Sequence, residues 1–138
     1  MNTPIQNVTI LVGRILLGLL FILSGFGKIA GFEGTVGYIA SQHLALPTVL
    51  AVLTIVVELG GGLALMAGLY TRQAVVALAV FSLLTAVVFH NFWAAPQGEQ
   101  MMQQINFMKN LAIAGGMLVV AAFGPGRLSV DARRLASA

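Results

Sequence analysis

Apolar residues in this chain come in four long, nearly uninterrupted runs: Val8–Gly27, Leu44–Leu69, Gln73–Ala95 and Ile105–Phe123. The first carries Arg14 as its single formal charge, the second Glu58, the third none and the fourth Lys109. A helix of about 20 apolar residues crosses the hydrocarbon core of a bilayer, so each run predicts one span, at about 8–27, 47–69, 73–93 and 105–123. None alternates with the period of two that barrel strands require. The prolines agree, because Pro4, Pro47, Pro96 and Pro125 all fall at the ends of runs, where a missing N–H is harmless or stops the helix. The predicted fold is all-α, a four-helix transmembrane bundle forming one integral membrane domain over residues 1–138.

The segments between the runs add detail. Residues 29–43 are mildly apolar, with Phe32, Val36, Ile39 and Ala40 at helical spacing. They predict a short helix lying in the interface or capping the bundle between the first two spans. Ser129 is placed to start one or two helical turns in the basic tail. The first ten residues hold no Lys or Arg, unlike the basic start of a secretory signal, and the first run reads as a retained span. With the N-terminus inside, Arg72, Arg127, Arg133 and Arg134 lie on the cytoplasmic side and Lys28, Glu33 and Glu99 on the other. The positive-inside rule therefore predicts an N-in, C-in topology.

Composition closes off other classes. Charged residues are 8% of the 138 and hydrophobic residues 59%, whereas about 25% charge is usual in a soluble domain. Eleven formal charges, 7 basic and 4 acidic, cannot clothe a water-soluble surface of this size. Disorder would require low hydrophobicity, and a disulfide scaffold would require cysteine, of which there is none. The net charge of +3 is scattered, with no basic stripe or arm, so nucleic-acid binding is set aside. With His43 and His90 far apart and no thiol, no metal-ligand cluster is expected.

Ionisable and amide side chains inside the spans are the candidate chemistry, since each costs several kcal/mol in hydrocarbon unless paired or solvated, roughly 2.5–3.5 on insertion scales. Arg14, Gly18, Phe21, Gly25 and Lys28 form one helical row in the first span, and Thr54, Glu58, Gly61, Leu65 and Gly68 one in the second. Glu58 falls near the midplane, roughly 16 Å from its helix end at 1.5 Å per residue, and an Arg14–Glu58 ion pair is the expected contact. Arg14, Glu58, His90, Asn91, Lys109 and Asn110 make the predicted intramembrane polar network, with Lys28 and Trp93 at its outer rim. Gly18, Gly25, Gly61, Gly62, Gly115 and Gly116 are the predicted helix-packing positions. Such a network either fixes helix register or lines a pocket for a quinone, a lipid head group or a small anion, with His90 as its proton-exchanging group.

Several short motifs stand in order along the chain: Arg14-x3-Gly18 with Gly25-x-Gly27-Lys28, Glu58-Leu59-Gly60-Gly61-Gly62 with Gly68, His90-Asn91-Phe92, Phe107-Met108-Lys109-Asn110-Leu111-Ala112 with Gly115-Gly116, and Gly124-Pro125-Gly126 with Ser129 and Asp131. Together they resemble the DoxX family of bacterial inner-membrane proteins over essentially the whole chain. The resemblance implies a four-helix integral membrane protein tied to redox or stress assemblies, since some members accompany a thiosulfate:quinone oxidoreductase or a complex containing superoxide dismutase. It implies no defined reaction. The lipid bilayer is the expected partner, with redox-enzyme subunits and a homo-oligomer as candidate partners and quinone as the candidate cofactor. A non-catalytic scaffold with structural charges and an oligomeric small-solute transporter stand as alternatives.

Overall fold

The computed structural model describes residues 3–137. Four long helices cross the bundle: α1 (Pro4–Ala30), α3 (Pro47–Ala67), α4 (Thr71–Phe89) and α5 (Gln100–Phe123). Two short ones join them, α2 (Phe32–Ser41) and α6 (Val130–Ala136), and a 3-10 turn covers Phe92–Ala94. No strand occurs among the described residues. Each long helix is long and apolar enough to span a membrane. Leu16, Leu23, Val56, Leu84 and Phe123 point outward and are largely exposed, a surface that water would not tolerate and lipid requires.

Local sequence accounts for the ends. Thr3 and Gln6 form a reciprocal capping box around Pro4, so α1 starts before the apolar run does. Gln100, Met101, Met102, Gln103 and Gln104 are all good helix formers, although the three glutamines interrupt the apolar run, and α5 accordingly starts five residues ahead of the expected span. Gly68 and Gly124 close α3 and α5 with positive φ. Ser129 caps α6 as anticipated, accepting from Ala132 N at 3.1 Å.

α1 packs chiefly on α3 and α4 on α5, while α3 and α4 join the two pairs. The α1–α3 seam is a glycine contact in both directions. A Cβ on Gly18 would lie 2.7 Å from the Gly62 carbonyl oxygen, and one on Gly62 would lie 2.9 Å from that of Gly18. Gly25 admits Leu59, and Gly61 admits Leu78 from α4. Phe21, Leu65, Val75, Leu78, Ala114 and Met117 fill the centre. Gly116 makes only ordinary contact with Leu17, and Gly115 faces open space, so the expectation that Gly115 packs a helix within the chain fails. α2 lies across the loop end, where Tyr38 stacks on Phe89 with ring centroids 5.5 Å apart and Ile39 is buried.

A candidate head-group cavity at the loop face

The antiparallel register of α1 against α3 decides which charges meet. With Gly18 against Gly62, Gly25 comes level with Glu58, whose Cβ would lie 3.5 Å from a Cβ there. Arg14 is carried down to Leu65 and Gly68, seven to ten residues past Glu58 and so roughly 10–15 Å away along α3. The expected Arg14–Glu58 pair is therefore not formed. Side-chain reach allowed it, but backbone register forbids it.

Glu58 is met instead by Lys28. Lys28 Nζ donates to both Glu58 carboxylate oxygens at 2.9 Å and to Ser24 Oγ at 2.7 Å, and Ser24 Oγ donates to Glu58 Oε1 at 3.1 Å. This is the one ion pair among the described residues. Lys28 lies in the last turn of α1 and is part-exposed. Its ammonium turns inward onto a carboxylate that is 4% exposed and lies about one turn deeper on α3. Ser24, one turn before Lys28, belongs to the network and was missed. Its i, i+4 spacing to Lys28 was the available signal.

The pair borders a cavity of about 240 Å³. Lys28, Ser24 and Glu58 form one polar wall, with Thr54 beside them. Thr85, His90 and Asn110 come from α4 and α5, and Thr35, Tyr38 and Ile39 from α2. The rest of the lining is apolar, chiefly Leu20, Phe21, Phe81, Phe89 and Ile113. Tyr38 Oη donates to the Phe89 carbonyl at 3.3 Å and holds α2 over α4. His90 sits where α4 ends, and its Nδ1 donates to Gln103 Oε1 on α5 at 2.9 Å. A neutral ring bonded in this way carries its lone pair on Nε2. Asn110 donates back to the Asn106 carbonyl at 3.2 Å.

Of the predicted network, Glu58, His90 and Asn110 thus share one cavity with Lys28, while Arg14, Asn91 and Lys109 lie outside it. Lys109 is exposed. Asn91 precedes the 3-10 turn, and its carbonyl accepts from Ala94 N at 2.9 Å. Trp93 is exposed and packs edge-on with Phe92 and Phe107 at the loop face.

Arg14 belongs to a separate structure at the opposite face. It is fully buried, donates to the Leu65 and Leu128 carbonyls, and covers Gly68, where a Cβ would collide with its guanidinium. Asp131 docks the same tail. Its carboxylate accepts from Tyr70 N, Thr71 N and Thr71 Oγ, each at 2.8 Å, and so caps α4 from 60 residues away. Its own N–H donates to the Gly68 carbonyl at 2.9 Å. Partial burial raises the Asp131 pKa, but the hydrogen bonds from Thr71 and Tyr70 and the charge of Arg134 outweigh it and leave the carboxyl below its usual value.

Comparison with known proteins settles the family. The DoxX family profile matches residues 9–91, more than half of the chain. This chain belongs to the DoxX family. The inner membrane protein YqjF of Escherichia coli (strain K12) is 42% identical over 127 residues, covering 92% of each chain. YphA from the same organism, also an inner membrane protein, is 38% identical over 93% of this chain and 91% of its own. A putative oxidoreductase, CatD of Bacillus subtilis (strain 168), is 33% identical over 64% of this chain and 63% of its own. No solved structure matches. With its four spans, this DoxX chain is an integral protein of the inner membrane.

Proposed function

We propose that this DoxX protein is a membrane subunit of a redox or oxidative-stress-linked system, and that its loop-face cavity holds the head group of a quinone-like amphiphile. The observation that carries the reading is the Lys28–Glu58 pair, bridged by Ser24, on a cavity that His90 and Asn110 also line. At about 240 Å³ the cavity is below the roughly 300 Å³ of a site for a whole drug-sized ligand. That size suits a single substituted ring, with its tail left in lipid. The lining suits it too, with polar side chains from α1, α3, α4 and α5 among aromatic and aliphatic ones.

A quinone in such a site supplies reversible two-electron, two-proton chemistry. The chain's own residues bind and orient. Lys28 donates its three N–H groups to Glu58 and Ser24, and Ser24 its one O–H to Glu58, so a ligand carbonyl oxygen takes a Lys28 N–H in exchange for one of these bonds. His90, fixed by Gln103, is the group able to exchange a proton at the mouth. The arginines at the tail face put that face in the cytoplasm, so the cavity opens toward the other side. The distant relative named as a putative oxidoreductase supports the redox link. A second reading, a scaffold whose charges are structural, draws on the internal pairing of Glu58.

The test is titration of the purified full chain with a short-tailed benzoquinone. Saturable binding, weakened about tenfold or more in a folded Glu58→Gln variant, supports the site. No binding to well-folded wild type refutes it in favour of the scaffold.

A further inference from the structure

The tail face carries a second recess, of about 920 Å³, where Arg72 at the start of α4, Arg127 before α6 and Arg134 on α6 converge. We propose that this recess binds the phosphate of an anionic phospholipid head group. The reading does not depend on the cavity at the other face.

Three observations carry it. The first is charge. Three arginines and one carboxylate, Asp131, line the recess, giving +3 − 1 = +2. Asp131 is already occupied by three donors from Tyr70 and Thr71. The other acidic residues, Glu33, Glu58 and Glu99, lie at the opposite face or within a span.

The second is that the backbone carrying Arg127 and Arg134 is fixed. Basic residues that serve only to set topology need no fixed conformation. Here Asn7 Oδ1 accepts from Arg127 N at 2.9 Å, and Arg14 holds the Leu128 carbonyl. Asp131 N is tied to Gly68 O at 2.9 Å. The Arg134 guanidinium lies 5.3 Å above the Tyr70 ring, which orients its planar fork of donors. A held guanidinium fork matches the two oxygens of a phosphate.

The third is depth, and it selects a lipid over a soluble anion. The recess sits where α3 ends and α4 begins, at the level of the head groups. Leu135 borders it and is 81% exposed, placed to enter the acyl boundary beside a bound lipid.

The experiment is native mass spectrometry of the full chain in mild detergent, titrated with phosphatidylglycerol or with phosphatidylcholine of the same chains. The expected result is about tenfold preference for phosphatidylglycerol, reduced about fivefold by Arg134→Gln or Arg127→Gln. Arg133→Gln removes the same charge from the same helix outside the recess and should change affinity less than about twofold. Should Arg134→Gln loosen the tail, Arg72→Gln reads the site from α4. Equal binding of the two lipids overturns the proposal. So does an Arg133→Gln loss as large as that of Arg134→Gln, which would mean diffuse charge. Displacement of the lipid by millimolar inorganic phosphate that itself binds through the same arginines would make this a soluble-anion site, and overturns it too.

Discussion

Removing Glu58 should expose a partner, and the structure says that partner is Lys28 and not Arg14. A double-mutant cycle over Lys28→Gln and Glu58→Gln isolates the pair. Breaking a buried ion pair from one side costs about 3–5 kcal/mol when both charges are sealed. The Glu58 side chain is 6% exposed but that of Lys28 is 28% exposed, so the freed ammonium recovers some solvation and a single loss of about 2–3 kcal/mol is expected. Losing both charges removes the penalty of the orphan, so the double variant should be less destabilised than the sum, with a coupling of about 1–2 kcal/mol. Arg14→Gln combined with Glu58→Gln should be additive to within about 0.5 kcal/mol, because they share no partner and lie roughly 10–15 Å apart along α3. Reversible unfolding of the six proteins by denaturing detergent measures all of these. A coupling for Arg14 and Glu58 equal to or larger than that for Lys28 and Glu58 would refute the register argument.

Two other outcomes follow from the same geometry. Gly18→Ala places a methyl 2.7 Å from the Gly62 carbonyl oxygen and should destabilise by about 1–3 kcal/mol, whereas Gly115→Ala meets open space and should be neutral or stabilising by up to about 1 kcal/mol through helix propensity; thermal melts in detergent rank them, and a reversed order contradicts the packing described. Asp131→Ala should raise hydrogen exchange at the Tyr70 and Thr71 amides, since losing the acceptor for a part-buried donor costs about 1–3 kcal/mol. The folded Asp131 carboxyl has a lowered pKa, so in wild type its contribution is fully present above about pH 4, the unfolded value, and fades as pH falls through the folded one. Loss of protection between pH 7 and pH 5 would speak against it.

How far the sequence could be read depends on the range of the interaction concerned. The spans follow from uninterrupted apolar runs and proline positions, which are local. The α2 helix was legible from Phe32, Val36, Ile39 and Ala40 as either an interfacial or a capping helix, but not which of the two, because Tyr38 finds Phe89 about 50 residues on. The row Arg14, Gly18, Gly25, Lys28 identified the packed face of α1 correctly in kind. It could not fix the register against α3, which the Gly18–Gly62 contact sets, and with that register Glu58 meets Lys28 in place of Arg14. A lysine at a span end ordinarily snorkels outward, and only the carboxylate at Glu58, one turn deeper on the neighbouring helix, turns Lys28 inward. Asp131 in a short tail gave no sign that it caps α4, since Tyr70 and Thr71 lie 61 and 60 residues away. Thr54 stood in the polar row of the second span, whereas Ser24 was passed over, and only the folded bundle shows that both line one cavity with Thr85.

The central claim, that the loop-face cavity holds the ring of an amphiphile, is tested most directly by mass spectrometry of organic extracts from the protein purified in mild detergent, beside Glu58→Gln. The expected result is a stoichiometric quinone in wild type and its loss from a Glu58→Gln variant that remains helical and monodisperse. An empty extract from well-folded wild type, or the same ligand retained in full by Glu58→Gln, would contradict it.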